Sequence, residues 1–113
     1  MALSDKDILI TPNKGSSTDD PKIEFVGATS SSSSTITANI YDLNNGTLSF
    51  EGTAGQLFSV TNNLTSGSIF SVNDVSGIPS IDVDADGTIQ LGPYDGNVGI
   101  GLTNPGQKLD VSG

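Results

Sequence analysis

Apolar residues recur at every second position along most of the chain, and short polar segments separate these groups. Residues two apart on a β-strand share one face, so each group predicts a short strand with one apolar and one polar side. No stretch keeps the 3.6-residue spacing of an amphipathic helix. The pattern predicts an all-β fold of short strands built around Ile8 and Ile10, Ile23 and Phe25, Ile36 with Ala38 and Ile40, Leu48 and Phe50, Phe58 and Val60, Phe70 and Val72, Ile81 and Val83, Ile89 and Leu91, Val98 and Ile100, and Leu109 and Val111.

Dipeptides that favour tight turns lie between several of these groups. They accept the positive φ that two-residue hairpin turns require, and they are Asn45-Gly46, Asp86-Gly87 and Asp95-Gly96. The sequence therefore predicts hairpins over residues 41–50 and 81–91, with 91–100 as a further candidate.

A twelve-residue repeat occupies the middle of the chain. Residues 57–62 reappear in similar form at 69–74, and a weaker third copy starts at Ile81. A regular short period is typical of a stacked β architecture, in which each unit covers the apolar edge of the last. A simple meander of strands of similar length explains the same spacing, so both interpretations stand.

The supply of apolar side chains is small for a chain of 113 residues. Hydrophobic residues make up 34% of the sequence, against an apolar share, counting Gly, of about 45–50% in typical globular domains. Cys is absent, so disulfides and thiolate metal sites are excluded. A thin core in a small chain needs support from elsewhere, and neighbouring subunits are the remaining candidate.

The charge balance excludes several classes of partner. The formal net charge is −9, with Lys6, Lys14, Lys22 and Lys108 as the only basic residues. Four scattered lysines cannot form the basic surface that nucleic acid or an anionic membrane requires. His is absent as well, and no carboxylate pair has a spacing that suggests a catalytic pocket. The sequence predicts a protein that is not an enzyme and that uses no cofactor.

The sharpest chemical motif is the acidic segment at residues 82–87, in which Asp82, Asp84 and Asp86 precede a Gly. This pattern opens an EF-hand calcium loop. However, the twelfth position is Pro93 instead of a bidentate carboxylate, and no helix is predicted on either side. An acidic hairpin, with Asp82 and Asp84 on the exposed side of a strand, is favoured over a metal site.

Glycines near the C-terminal end of the sequence superficially suggest a phosphate-binding loop. Gly99 and Gly101 are followed by Pro105 and by no helical pattern, whereas a phosphate cradle needs a helix N-terminus after the glycines. We interpret these glycines as positions of tight backbone packing.

Residues 98–113 resemble the VGIGTTxPxxKLxVxG stretch of phage tail fibres. The motif positions are Gly99, Gly101, Pro105, Lys108, Leu109, Val111 and Gly113, and Leu102 stands where the family usually has Thr. In those fibres the stretch resembles a connector between a trimeric shaft and the following domain. Residues 8–15 and 57–96 also resemble segments of structural proteins from phages of cyanobacteria.

The resemblance implies an intertwined homotrimer on the outer surface of a virion, in contact with tail, baseplate or major capsid proteins. We expect residues 1–56 to form a β module that docks onto the particle, with a flexible loop at the serine run 30–34. Residues 57–113 would form a repetitive β segment that ends in the connector motif. The expected subunit interface is formed by Phe58, Val60, Phe70, Val72, Ile81, Val83, Val98, Ile100, Leu109 and Val111.

Two other functions are compatible with the sequence. A small, acidic β protein also suits a capsid decoration, or cement, protein whose copies stabilise the head. A carbohydrate- or calcium-binding module is the third alternative, for which the acidic segment at 82–87 is the only support.

Overall fold

A computed structural model describes residues 7–11, 21–27 and 35–113. All regular secondary structure in these ranges is β, which confirms the predicted fold class. None of the described residues forms a helix long and apolar enough to span a membrane. The strands are β1 (Asp7–Thr11), β2 (Lys22–Val26), β3 (Ile36–Tyr41), β4 (Thr47–Gly52), β5 (Gly55–Thr61), β6 (Ser68–Asn73), β7 (Pro79–Asp84), β8 (Ile89–Leu91), β9 (Val98–Ile100) and β10 (Leu109–Val111).

The first eight strands form one antiparallel meander in which each strand pairs with the next along the chain. Two of the predicted hairpins are confirmed. Between β3 and β4, Asn44, Asn45 and Gly46 all adopt positive φ, which Asn and Gly tolerate better than other residues. Between β7 and β8, Gly87 adopts a φ of 93° directly after Asp86.

The hairpin predicted over residues 91–100 is wrong. Gly92 turns at a φ of +60°, and a Cβ there would lie 2.7 Å from the carbonyl oxygen of Gly96, so the loop closes on itself after β8. Strand β9 then pairs in parallel with β10 instead of antiparallel with β8. The Asp95-Gly96 dipeptide therefore lies in a loop that turns the chain away from the sheet.

The twelve-residue repeat corresponds to neighbouring strands of the meander. Phe58 of β5 lies opposite Val72 of β6, and Val60 lies opposite Phe70, so successive copies run in opposite directions. In a stacked coil, equivalent residues of successive copies would lie side by side. The meander interpretation is therefore the correct one of the two.

The sheet is a single layer with no second layer of described residues packed on it. The chain exposes 7780 Å² of surface, whereas a compact monomer of 11.5 kDa exposes about 5,800 Å². The overall extents are 52 × 39 × 20 Å. Among the described residues, the only buried hydrophobic side chain is Ala38, at 9% exposure.

Two features of the expected organisation can be located on this fold. The boundary expected between residues 56 and 57 falls inside β5, and strand pairing continues on both sides of it from β1 to β8. The serine run at 30–34 lies outside the described residues.

Candidate assembly surface

One side of the sheet, which we name the apolar face, is formed by hydrophobic residues from all eight strands. Directly opposed residues in an antiparallel ladder project to the same side, so the strand register assigns each side chain to a face. The apolar face consists of Ile8, Ile10, Ile23, Phe25, Ile36, Ala38, Ile40, Leu48, Phe50, Phe58, Val60, Phe70, Val72, Ile81, Val83, Ile89 and Leu91.

Aromatic rings occupy the centre of the apolar face. Phe50 and Phe58 stack with ring centroids 4.4 Å apart, and Phe70 follows at 6.4 Å from Phe58 in a tilted arrangement. These contacts along the sheet leave the outer sides of the rings uncovered, and all three are only half-buried. Val60 beside them is 46% exposed. The apolar face is thus organised within the chain but covered by none of the described residues.

A hollow of about 320 Å³ lies on the same face around Ala38. Ala38 is paired with Ile23 of β2, and its small side chain leaves a depression beside that residue. Ile40 and Leu48 also line the hollow. Its walls are almost entirely apolar.

The opposite side of the sheet, which we name the polar face, satisfies its own polar groups. Glu51 is the centre of a hydrogen-bond network: it accepts bonds from Tyr41 Oη at 2.7 Å, from Ser49 Oγ at 2.8 Å and from Asn39 Nδ2 at 3.1 Å. Gln56 Nε2 donates to Ser49 Oγ at 2.8 Å and extends the network to β5. In the part of the chain that the structure describes, no buried side-chain nitrogen or oxygen lacks a partner.

A β-bulge keeps the two faces separate at β5. Gln56 stands two residues before Phe58, so unbroken alternation would place it on the apolar face. The register between β4 and β5 shifts between Phe50 and Glu51, which turns Gln56 to the polar face opposite Glu51.

The acidic segment at 82–87 is arranged as an acidic hairpin. Asp82 and Asp84 lie on the polar face, opposite Ser71 and Ser68. Asp82 accepts a hydrogen bond from the Ser68 hydroxyl, and Asp84 Oδ2 accepts one from Gln90 Nε2 at 3.0 Å. Each carboxylate therefore has its own protein partner.

The third carboxylate of this segment belongs to the turn. The Thr88 backbone N–H donates to Asp86 Oδ1 at 2.9 Å. Hydrogen bonds from the Thr88 backbone and hydroxyl lower the pKa of Asp86. Within the described ranges, no three His, Cys, Asp or Glu side chains come together in a way that could hold a metal ion.

The parallel pair β9–β10 repeats the two-faced design on a smaller scale. Val98 lies opposite Leu109 and Ile100 opposite Val111, so these four residues share one face, the C-terminal apolar face. The other face carries Gly99 and Asp110.

The connection between β9 and β10 packs over the Gly99 side. A Cβ at Gly99 would lie 2.8 Å from the Leu102 carbonyl oxygen and 3.2 Å from the Pro105 ring, which confirms the interpretation of Gly99 as a tight packing position. Asp110 Oδ2 accepts a bond from the Gly106 N–H at 3.0 Å on this covered side. On the C-terminal apolar face, Ile100, Leu109 and Val111 are all more than half exposed.

The expected interface residues are thus gathered on two surfaces. Phe58, Val60, Phe70, Val72, Ile81 and Val83 lie together on the apolar face, and the other four form the C-terminal apolar face. The expected set omitted the contributions of β1 to β4 and β8 to the apolar face. The same alternation of apolar residues that marked β5 to β7 was the signal that could have found them.

No protein-family model matches the chain, and neither the curated proteins nor the solved structures include a significant match. The apolar face and the C-terminal apolar face are therefore the main evidence on function.

Proposed function

We propose that this chain is a non-enzymatic structural module of a bacteriophage particle, in which three copies close their apolar faces around a common axis. The observation that carries the proposal is the apolar face itself. It extends over eight strands, has aromatic residues at its centre, and is covered by none of the described residues. Large uncovered apolar surfaces of soluble proteins mark interaction sites, because their exposure to water is unfavourable.

The narrowness of the apolar face favours three copies over two. Most strands contribute two residues to it, as β4 does with Leu48 and Phe50. The long sides of the sheet are the two rows of strand ends. If two sheets stacked face to face, nearly every apolar residue would lie beside one of these open sides. Three sheets arranged as a triangular prism have no open long side, because each sheet meets the next along its row of strand ends.

The length of the strands fits the same prism. Most strands of the sheet contain 5 or 6 residues, which corresponds to about 17–20 Å. The centre of an equilateral triangle with such sides lies about 5–6 Å from each side, and packed sheets contribute about 5 Å each to their ~10 Å separation. One layer of side chains therefore fills the prism.

The C-terminal apolar face continues this arrangement beyond β8. The chain that connects β9 to β10 packs on the opposite side of this pair of strands. The four residues of the C-terminal apolar face, Val98, Ile100, Leu109 and Val111, can therefore contact the same residues of two further copies. The resemblance of residues 98–113 to the connector of phage tail fibres supports the assignment to a phage particle. It also favours a fibre or appendage over other virion components.

The polar face would form the outside of the trimer. Its side chains are hydrogen-bonded within one chain, so it needs no partner to be stable in water. The net charge of −9 adds solubility to this outer surface. These properties suit the outer surface of a virion.

Sedimentation equilibrium of the intact chain tests the trimer. We expect the mass of three chains of 11.5 kDa each, or a multiple of that mass, at micromolar concentration. A stable folded monomer would contradict the proposal, since the apolar face would then be tolerated in water.

Cryo-electron microscopy of the virion that carries the chain tests its place on the particle. We expect threefold density in a tail fibre or appendage. Density distributed over the capsid lattice would instead identify a head-decoration protein, and absence from the particle would contradict a virion role.

A further inference from the structure

The two edges of the eight-stranded sheet differ in how they are protected. Strand β8 is only 3 residues long. Gly92 follows it, turns at positive φ and donates its N–H to the Ser80 carbonyl at 2.7 Å. Strand β1 is 5 residues long, and the register gives it no neighbour other than β2 among the described strands. Natural sheets protect a free edge with Lys, Pro, bulges or short strands, and residues 7–11 contain no Lys, no Pro and no bulge.

The sequence of β1 also departs from the alternation of the other strands. Ile8 and Ile10 belong to the apolar face, but Leu9 between them lies on the polar face, opposite Glu24. Leu9 is 45% exposed, and its two neighbours are more exposed still. On a sheet with one apolar and one polar face, strands normally alternate between apolar and polar residues. Strand β1 therefore presents apolar side chains on both faces at the edge of the sheet, where the side chains of an added strand could cover part of them.

The strand Asp7–Thr11 is complementary to a second copy of itself. If two copies pair antiparallel about Leu9, Leu9 lies opposite Leu9, Ile8 opposite Ile10, and Asp7 opposite Thr11. All five residues are then paired, and no like charges are directly opposed. A register centred between Leu9 and either neighbour would bring Leu9 opposite Ile8 or Ile10 and mix the two faces.

We propose that two copies of this chain join edge to edge through β1, in an antiparallel pairing centred on Leu9. The pairing extends the apolar face without interruption from one copy to the other, because Ile8 and Ile10 remain on the same side. It also gives hydrogen-bond partners to the outer backbone groups of β1, which pair with no other described strand. The inference goes beyond the proposed trimer: it joins single chains in pairs and trimers into six-chain assemblies.

Disulfide trapping tests the pairing directly, since the chain contains no Cys. Opposed residues of an antiparallel pair have Cα atoms about 4.5–5.5 Å apart, within the range that a disulfide spans. We expect Leu9→Cys to form covalent dimers under mild oxidation. The matched control is Leu64→Cys, in an exposed loop, which should stay unlinked under the same conditions.

A charge substitution tests the same edge by mass. Leu9→Lys places two like charges opposite each other, so we expect the sedimentation mass to fall to half that of the natural chain. Leu64→Lys should leave the mass unchanged. Circular dichroism of both variants, compared with the natural chain, identifies any loss of the β fold.

The outcomes separate this inference from the proposed trimer. If the natural chain has the mass of three chains and Leu9→Cys forms no covalent dimers, the edge pairing is overturned and the trimer stands. A two-chain mass that Leu9→Lys halves would support the edge pairing and contradict the trimer. A two-chain mass that survives Leu9→Lys would overturn both.

Discussion

The two faces of the sheet have the same backbone but opposite requirements. On the polar face, Glu51 accepts three hydrogen bonds from its own chain, and Ser49 is fully buried beneath its neighbours. On the apolar face, Phe58 lies between two other rings and yet remains only half-buried. Hydrogen bonds can be completed within a single layer, because cross-strand neighbours reach each other. Apolar burial cannot, because it requires a second layer over the first.

In a single-layer sheet, the face that cannot complete its own contacts carries the information about partners. A face that is complete within one chain places few demands on its surroundings. A face that is incomplete specifies the chemistry, the width and the length of what must cover it. If the two faces differ in this way, substitutions on the apolar face should change assembly, whereas substitutions on the polar face should change folding stability.

The strongest test places a charge on the apolar face. Val60→Asp should abolish assembly at micromolar concentration, since three unpaired carboxylates would be buried in the proposed trimer, at about 3–5 kcal/mol for each uncompensated charge. The control is Val75→Asp, the same substitution at a loop valine that is 82% exposed. Sedimentation velocity measures both. If Val60→Asp assembles as well as its control, the apolar face is not an interface.

Truncation of a central ring should weaken assembly without a new charge. Phe70→Ala should cost about 3–5 kcal/mol if partner copies bury the ring completely. Urea denaturation at several protein concentrations measures the loss. The matched control is Tyr94→Ala, an exposed aromatic residue in the loop after β8, which should be nearly silent. An equally silent Phe70→Ala would show that the ring stays in water.

Removal of the Glu51 carboxylate, the central hydrogen-bond acceptor on the polar face, should lower folding stability without changing assembly. Glu51→Ala leaves three donors without their partner and should cost about 1–3 kcal/mol of folding stability. The oligomeric state should not change, because this network lies within one chain. Glu24→Ala is the control, since its ion pair with Lys22 at 3.6 Å is partly exposed and contributes about 0–1 kcal/mol. A change of mass in Glu51→Ala would contradict the separation of the two faces.

Acidification should have the smallest effect, and it acts at the hairpins. Hydrogen bonds from the Ser76 hydroxyl and the Ile78 backbone lower the pKa of Asp74. Asp86 is shifted in the same direction by Thr88. Because their pKa in the folded state lies below the unfolded value of about 3.9, these carboxylates contribute stability above that pH and lose it as the pH falls through the folded value.

We therefore expect the free energy of unfolding to decline modestly below about pH 4. The double variant Asp74→Asn and Asp86→Asn should show a flatter decline in urea denaturation across the same pH range. A double variant with the full slope of the natural chain would assign the acid sensitivity to other carboxylates.

Much of the fold and of the assembly surface could be predicted locally. The alternation around Phe58 and Val60 identified a strand and placed both residues on one face, and the register bears this out. Asn45-Gly46 and Asp86-Gly87 marked turns because their backbone preferences are intrinsic. The tight packing of Gly99 was also inferred correctly, since the residues after it could not form a helix.

The errors arose where non-local contacts decide. Asp95-Gly96 has the same turn preference as Asp86-Gly87, but β9 finds a better partner in β10, and the hairpin does not form. The twelve-residue spacing suited a coil and a meander equally, and only the pairing of β5 with β6 distinguished them. The position of Leu9 at an outer edge likewise depends on the order of strands in the complete sheet.

The strands, most turns and the division of residues between an apolar and a polar face follow from the sequence alone, because a period of two is a property of neighbouring residues along the chain. The tertiary structure adds that the strands form a single layer covered by none of the described residues, that β9 and β10 leave the sheet as a parallel pair, and that β1 is an edge strand with no described neighbour other than β2. These features depend on which strands meet, and strand pairing is governed by the competition of distant segments for the same backbone hydrogen bonds.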